Sequence, residues 1–268
     1  MSTSPKGIAV VTGASAGIGA IYADRLARRG YDLILVARNR ARLDEVANRI
    51  AGATGRAAKA VAADLNNTAD LKTVATMLGA EPGITMLINN AGVGALEPLL
   101  QSDVNVMEEM IKLNVTALTR LTYAVVPALV SRGGGTIINI SSAVAIAPEL
   151  LNGVYGGTKA FVLAFSQSLH KELADKNIRV QVVLPGAIAT NFWDVAGGSS
   201  EKLPPQIVMQ SDDLVDAALV GFDRGEFVTI PSLPNAFDWD AYESARQKLI
   251  PNLSLNRVPG RYIIDAAA

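Results

Sequence analysis

Seven short apolar segments alternate with segments of helical spacing along most of this chain. The apolar segments are rich in branched residues, which is typical of buried strands. They cover residues 7–12, 31–37, 57–63, 85–88, 137–142, 178–184 and 227–230. This alternation, without a second core, predicts one α/β domain over residues 1–268, built on a doubly wound parallel sheet with helices on both faces. Ligands of such sheets bind at the carboxyl ends of the strands.

The composition excludes several kinds of chemistry. The chain has no cysteine, which rules out disulfides, thiol catalysis and cysteine–zinc sites. His170 is the only histidine, so no metal is expected, and we interpret His170 as a surface or interface residue. A net charge of −1 gives no sign of nucleic acid or an anionic membrane as partner. The chain has neither a signal-like apolar run near its start nor eighteen consecutive uncharged apolar residues, so a cytoplasmic protein without a transmembrane helix is expected.

A glycine-rich turn follows the first predicted strand and precedes a helix. Gly13, Gly17 and Gly19 are separated by small residues and by Ser15 and Ile18. Glycine lets the backbone approach a ligand closely, and the start of a helix offers free N–H groups to phosphate. The turn therefore predicts a binding site for the pyrophosphate of a dinucleotide.

The end of the second strand bears on which dinucleotide binds. An acidic residue there would hold the ribose 2′-hydroxyl of NAD, but the strand ends in Ala37 and Arg38, with more arginines close by. A guanidinium suits a 2′-phosphate and favours NADP(H). The alternative is that Arg38 is only the solvated start of the helix predicted over residues 39–50. Ala16 in the glycine turn is not basic, which argues mildly against the phosphate role.

Polar side chains end two further strands or interrupt a helix. Asp64 follows the third strand and would either accept a hydrogen bond from the adenine amine or cap the next helix. Asn90 and Gly92 follow the fourth strand, where small residues permit close approach of the backbone. Asn114 lies inside the helix predicted from residue 103 to about 131, where it is either a packing accommodation or a residue that holds water near the site.

The fifth strand and the helix after it carry the residues that point to catalysis. Tyr155 and Lys159 are four positions apart and so share one face of the helix, while Ser142 ends the strand. An ammonium close to a phenol favours the ionised phenol and lowers its pKa. A nearby hydroxyl can hold the oxygen of a carbonyl. The three residues predict a proton donor, the group that tunes it and an anchor for the substrate.

Taken together, these motifs resemble the short-chain dehydrogenase/reductase family. The resemblance covers residues 7–230 and rests on the glycine turn, Asp64, Asn89 to Gly92, Asn114, Ser142, Tyr155-x-x-x-Lys159 and Pro185-Gly186-x-x-x-Thr190. It implies a single Rossmann-type domain with a seven-stranded sheet and hydride transfer between a nicotinamide and a carbonyl or alcohol carbon. One departure is the segment from residue 231 on, which is longer than the usual end of the family.

The resemblance also implies a role for each matched residue. Tyr155 would be the proton donor or acceptor, Ser142 would bind the substrate oxygen, and Asn114 would anchor a water of the proton relay. Lys159 would lower the pKa of Tyr155 and hold the nicotinamide ribose. The cofactor residues would be Gly13, Ser15, Gly17, Ile18, Gly19, Arg38, Asp64, Leu65, Asn90, Gly92, Tyr155, Lys159, Pro185, Gly186, Ile188 and Thr190.

The substrate pocket is expected from residues 93–96, 143–151 and 187–210. Its side chains are mostly apolar, which predicts a hydrophobic ketone or aldehyde as substrate. Glu149 is the one charge in residues 93–96 and 143–151 and would either face solvent or select a polar end of the substrate. The segment 191–210 is rich in Gly, Ser and Pro and is predicted to form a lid. The segment 233–268 is a divergent tail, so a homodimer through the helices around Met107 and Phe161 is a safer expectation than a tetramer.

Two other functions are compatible with this sequence. One is an NAD-dependent alcohol dehydrogenase, which the relative affinities for the two cofactors would distinguish. The other is a non-catalytic regulator that senses the nucleotide, although such proteins usually lose part of the Ser/Tyr/Lys set that this chain retains.

Overall fold

The computed structural model describes residues 6–190 and 192–263. Residues 1–5, residue 191 at the start of the predicted lid, and residues 264–268 at the end of the predicted tail lie outside the described residues. The described part contains nine strands: β1 Ile8–Thr12, β2 Asp32–Ala37, β3 Ala58–Ala62, β4 Ile84–Asn89, β5 Gly135–Ile140, β6 Ile178–Val183, β7 Ala187–Ala189, β8 Val208–Gln210 and β9 Val228–Thr229.

Seven of these strands form one parallel sheet in the order β3-β2-β1-β4-β5-β6-β9. The order runs outward in both directions from β1 and β4, so a crevice opens between their carboxyl ends. This topology confirms the predicted doubly wound sheet, and all seven predicted strands are present.

Helices cover both faces of the sheet. Those that pack on the sheet are α1 Gly17–Arg28, α2 Arg40–Thr54, α3 Thr68–Ala80, α5 Leu118–Arg132, α6 Gly153–Glu172 and α8 Ser211–Arg224. The described residues also contain α4 Val104–Ile111, α7 Phe192–Val195 and α9 Ala236–Leu249. Side chains alternate along a strand, so Ala9 and Val11 pack into the core beneath α1, α2 and α8, whereas Val10 packs into the core beneath α3, α5 and α6. Burial on both faces explains why the strands read as continuous apolar runs.

The segment predicted as a lid contains structure that its composition did not reveal. β7, just before this segment, and β8, at its end, pair in parallel as a separate two-stranded sheet, and the short helix α7 lies between them in the chain. Strands of three residues give too short an alternation to be recognised in a sequence rich in Gly, Ser and Pro. Movement of this segment as a lid stays a prediction.

The helix predicted from residue 103 to 131 is continuous but not uniform. α4 and α5 are joined by a π-helical turn, Lys112–Ala117, that contains Asn114. By length and composition alone, the stretch Val104–Arg132 would reach across a membrane, although no transmembrane helix was expected from the sequence. A single helix of this kind is weak evidence for a membrane span, because buried core helices can be as long and as apolar. In this helix, Leu121, Val125 and Leu129 pack against the sheet.

The chain separates into two compact units, with the boundary between Ser232 and Leu233. The sequence predicted one domain over residues 1–268 and set the tail apart at residue 233, which is where the second unit begins. That unit contains α9, which starts at the side-chain cap of Asn235, followed by two short 3-10 turns at Ile250–Asn252 and Gly260–Tyr262.

Candidate active site

The crevice is held in shape by hydrogen bonds between the ends of β1 and β4. The Thr12 hydroxyl accepts hydrogen bonds from the backbone N–H groups of Asn90 and Ala91, both at 3.0 Å. The Asn90 amide nitrogen donates to the Thr12 carbonyl at 2.9 Å. The side chain of Asn90 therefore fixes the start of the glycine turn, a contact compatible with its predicted position along the nucleotide.

The glycine turn is too tight for side chains at its glycines. Gly13 and Gly17 have φ of 67° and 52°, in the left-handed region that favours glycine. A Cβ on Gly19 would lie 2.6 Å from the Asn90 amide nitrogen. Ser15 and Ile18 are half-buried positions of the same turn. α1 begins at Gly17 with no side-chain cap and no acidic residue in its first turn, so its N–H groups are available to an anion.

Arg38 follows β2 beside this turn. The backbone N–H of Gly13 donates to the Val36 carbonyl at 2.8 Å, which places the end of β2 against the start of the turn. Asn39 caps α2 by accepting a hydrogen bond from Arg42 N. Arg38 is exposed, and within residues 6–190 and 192–263 its guanidinium has no hydrogen-bond or ion-pair partner, whereas Arg40 pairs with Asp44. An exposed, uncommitted guanidinium beside the turn suits a phosphate group.

The end of β3 excludes one of the two roles left open for Asp64. The cap of α3 is Asn67, which accepts from Ala69 N and Asp70 N, so Asp64 is not the helix cap. The Asp64 carboxylate instead accepts from Asn66 N at 3.0 Å and closes a turn. Leu65 is buried, and the side-chain oxygen of Asn66 is buried without a hydrogen-bond partner in the described part of the chain. An unsatisfied buried acceptor at this position fits an adenine amine.

The end of β5 is joined to α6 by two hydrogen bonds. The Ser141 hydroxyl donates to the Lys159 carbonyl at 2.8 Å, and Lys159 Nζ donates to the Ile140 carbonyl at 3.0 Å. Lys159 is only 7% exposed, and burial lowers its pKa to about 8. A Cβ on Gly92 would lie 3.5 Å from Lys159 Nζ, so the end of β4 meets the same amine.

Tyr155 lies beside Ser142 in an apolar environment. Burial raises the pKa of Tyr155 to about 12, and a hydrogen bond from the Ser142 side chain lowers it by a smaller amount. The expected lowering of the Tyr155 pKa by Lys159 is therefore wrong for this structure. Its physical reason is that the amine itself is desolvated and directed to a backbone carbonyl, while Val144, Met107 and Met110 enclose the phenol.

Asn114 is buried and its side chain is fully committed. Its oxygen accepts from Val93 N at 3.0 Å, and its nitrogen donates to the Val93 carbonyl at 2.8 Å and the Thr158 hydroxyl at 3.0 Å. The amide thus joins the segment after β4 to α6. The water-anchoring role that the resemblance implies for Asn114 would therefore fall to its main chain. Asn114 lies in the π-helical turn, where the regular pattern of backbone hydrogen bonds is interrupted.

The segment after β6 completes the crevice. The Pro185 carbonyl accepts from Ala143 N at 2.8 Å and from the Ser142 hydroxyl at 3.4 Å. A Cβ on Gly17 would lie 3.5 Å from the side-chain methyl of Thr190, so this segment also meets the glycine turn. Within the segment from Pro185 to Thr190, Gly186 is exposed and Ile188 is buried. The structure therefore brings together the predicted residues from β1, β4, β5, α6 and β6.

Two residues that the sequence analysis missed position the catalytic helix. Asn152 caps α6 by accepting from Val154 N and Tyr155 N, and its amide nitrogen donates to the Glu97 carbonyl at 2.6 Å. Thr158 accepts from Asn114 and donates to the Tyr155 carbonyl at 2.8 Å. Asn immediately before a helical segment is a recognisable cap signal and could have identified Asn152.

This arrangement can donate a proton to an oxygen held beside Ser142 and can accommodate a nucleotide along the strand ends. A Rossmann-type sheet that joins a phosphate-binding glycine turn to a Ser/Tyr/Lys set defines a nucleotide-dependent oxidoreductase.

Comparison with known proteins gives the family. The model described as short chain dehydrogenase matches residues 7–197. The chain is 35% identical over 235 residues to a very-long-chain 3-oxoacyl-CoA reductase of Anas platyrhynchos, covering 85% of this chain and 72% of that one. It spans 66% of the Homo sapiens protein of that name. The chain therefore belongs to the short-chain dehydrogenase family.

Two solved structures are similar over nearly the whole chain. A short-chain dehydrogenase from Sphingobium yanoikuyae in complex with NADPH is 49% identical with a TM-score of 0.92, covering 96% of this chain and 100% of that one. A bulky-bulky ketone specific alcohol dehydrogenase from Comamonas testosteroni is 44% identical with a TM-score of 0.88, covering 96% and 99%.

Proposed function

We propose that this oxidoreductase reduces bulky hydrophobic ketones or aldehydes to alcohols with NADPH. The observation that carries the proposal is the Tyr155 phenol, which is 5% exposed and has a pKa raised to about 12 beside the Ser142 hydroxyl. A phenol that stays protonated at neutral pH is suited to donate a proton to a carbonyl oxygen. The same residues would catalyse the reverse oxidation with Tyr155 as the phenolate, and the direction of reduction is supported by the NADPH complex of the similar enzyme and by the reductase name of the curated relative.

The residues around the crevice fit NADP(H). The glycine turn and the open end of α1 would hold the pyrophosphate, Arg38 the 2′-phosphate and Lys159 the nicotinamide ribose. The bound dinucleotide supplies the hydride. The similar enzyme from Sphingobium yanoikuyae binds NADPH, which supports the same cofactor here.

Each protein side chain then has a defined task. Ser142 Oγ holds the substrate oxygen, and Tyr155 Oη gives that oxygen its proton. Asn114, through its bonds to Val93 and Thr158, keeps α6 aligned with the segment after β4. Positioned donors at the oxygen that gains charge are the electrostatic requirement of carbonyl reduction.

The walls of the site indicate the substrate class. Val144, Ala95, Val93, Leu151 and Phe192 pack around Tyr155. Glu149 is exposed, which supports the first of its two predicted roles, that of a residue facing solvent. Apolar side chains around the proton donor favour a substrate with apolar groups next to its carbonyl. The ketone specificity in the name of the Comamonas testosteroni enzyme agrees with this class.

The proposal is tested by NADPH oxidation in the presence of a panel of aromatic and aliphatic ketones and aldehydes. We expect turnover with several hydrophobic members and a loss of about 10²–10⁴-fold in kcat for Tyr155→Phe. Tyr262→Phe is the matched control because Tyr262 is 63% exposed in the 3-10 turn Gly260–Tyr262. Tight NADPH binding without reduction of any member, or full activity of Tyr155→Phe, would reject the proposal.

We also propose a cytoplasmic homodimer. Its support is an exposed apolar surface on α4, α5 and α6 that includes Val104, Ile111, Tyr123 and Phe161. Met107, named in the sequence expectation, is 7% exposed and belongs to the core around Tyr155, so it is not part of this surface. Light scattering should give twice the chain mass, and Phe161→Glu should shift it toward the monomer. A wild-type monomer at micromolar concentration would reject the dimer.

A further inference from the structure

Phe192, the first residue of α7, lies directly beside the proposed proton donor. Its ring centre is 5.7 Å from that of Tyr155, with the ring planes inclined by 46°. It belongs to the apolar group that encloses the phenol. A substituent on the carbonyl carbon of a substrate held at Tyr155 would have to share this space with the ring.

Gly94 provides the space into which the Phe192 ring projects. A Cβ built on Gly94 would overlap the ring, at 2.7 Å from Cε2 and 3.1 Å from Cε1. The three heavy atoms nearest that Cβ all belong to Phe192, and the φ of Gly94 lies outside the left-handed region. A side chain at Gly94 would therefore meet the ring without straining its own backbone.

Hydrogen bonds before and after Phe192 hold α7 in place. Trp193 is buried, packs edge-on against Phe192 and donates its ring N–H to the Ile188 carbonyl at 2.8 Å. The Leu96 N–H donates to the Ala196 carbonyl at 3.2 Å, which joins the segment after α7 to the segment that contains Gly94. The Phe192 ring is thus held by contacts with Trp193 and with the segment that contains Gly94, and it forms one wall of the site.

We propose that Phe192 sets the size of the larger ketone substituent that the enzyme accepts, and that Gly94 is the socket that lets its ring stand back from Tyr155. This inference rests on the proposed ketone reduction and deepens it by assigning a specificity-determining pair. Shortening Phe192 enlarges the pocket on that side. A methyl group on Gly94 pushes the ring toward the substrate and narrows the pocket.

The test is a double-mutant cycle on substrate size. The measured quantity is the ratio of kcat/KM for a ketone with two phenyl-sized substituents to kcat/KM for a methyl ketone with one of them. We expect Phe192→Ala to raise this ratio about tenfold and Gly94→Ala to lower it about tenfold. In the double variant the clash partner is gone, so the ratio should match that of Phe192→Ala within about twofold.

Gly52→Ala is the control for the glycine substitution, since a Cβ on Gly52 in α2 meets nothing within 4 Å. Phe192→Leu replaces Phe192→Ala if the alanine variant does not fold. An unchanged ratio in the Phe192 variant, or a Gly94→Ala loss that persists in the double variant, would overturn the assignment. Binding of the bulky ketone to each variant with NADP⁺, a pair that has no hydride to transfer, is read by thermal shift and gives the same size ranking without turnover. If wild type reduces no ketone, the proposed function fails, and this ranking alone decides the role of Phe192.

Discussion

Lys159 Nζ lies 5.9 Å from the centre of the Tyr155 ring and donates its hydrogen bond to the Ile140 carbonyl. The amine is therefore part of the junction between β5 and α6 as well as a neighbour of the phenol. Both groups are buried, and burial disfavours the charged form of each. The free protein therefore carries the cost of holding an amine where an apolar side chain would be more stable.

This cost has a pH dependence that a stability measurement can detect. The Lys159 pKa is lowered to about 8, so the buried ammonium carries its full penalty below pH 8, and the penalty fades as pH rises toward the unfolded value of 10.5. We expect Lys159→Met to be more stable than wild type by about 2 kcal/mol at pH 7, a difference that shrinks above pH 8.

Urea unfolding at several pH values measures this difference. Lys72→Met is the control, because Lys72 is exposed on α3 and should give no such trend. A Lys159→Met variant that is less stable than wild type at pH 7, or a difference independent of pH between 7 and 9.5, would contradict the assigned burial cost.

Asn152 is predicted to support catalysis by fixing the start of α6. Asn152→Ala removes a helix cap and the bond to Glu97, and should cost about 1–2 kcal/mol together with a fall in kcat. Asn152→Asp retains the acceptor for the cap but loses the donor to Glu97. Thermal melts and kcat of both variants separate the contribution of the helix cap from that of the bond to Glu97. Wild-type stability and kcat for Asn152→Ala would show that neither bond contributes.

Arg38 is predicted to distinguish the two cofactors. Arg38→Ala should weaken NADPH binding by about 10- to 100-fold, the value of a hydrogen bond to a charged group, and leave NADH binding nearly unchanged. Titration with both cofactors measures this. Arg49→Ala, an exposed arginine farther along α2, is the control. Equal losses for NADPH and NADH would argue that Arg38 does not contact the 2′-phosphate.

Tyr22 offers a stability prediction remote from the chemistry. Its hydroxyl is fully buried without a hydrogen-bond partner in residues 6–190 and 192–263, and burial raises its pKa. Tyr22→Phe removes this unsatisfied group and should stabilise the protein by about 1 kcal/mol. Tyr262→Phe, at an exposed position, should have no effect on the melting temperature. Destabilisation by Tyr22→Phe would indicate that the hydroxyl has a partner.

The sequence predicted the sheet well because its signals are local. Each strand of the main sheet is a run of branched apolar residues, and each site motif follows such a run. The π-helical turn could not be predicted, since one extra residue in a turn hardly alters the spacing of apolar positions, and the polar Asn114 was its only sign. β7 and β8 were missed because three-residue strands lack a usable pattern.

Which residues form the site was easier to predict from the sequence than their pKa values and hydrogen bonds. The spacing of Tyr155 and Lys159 indicates proximity, yet the direction of the Tyr155 pKa depends on how deeply both groups are buried. Likewise, Asp64 and Asn67 are equally plausible helix caps in sequence, and only the backbone path shows that Asn67 caps α3. The socket formed by Gly94 for Phe192 joins two segments that are far apart in the chain.

Transfer of deuterium from cofactor to product tests the central claim most directly. The enzyme is supplied with NADPH carrying deuterium at both C4 positions and with a hydrophobic ketone that it reduces. The account predicts an alcohol with one deuterium on its carbinol carbon, and a strong loss of this product with Tyr155→Phe. An alcohol without deuterium, or the same yield from Tyr155→Phe, would contradict it.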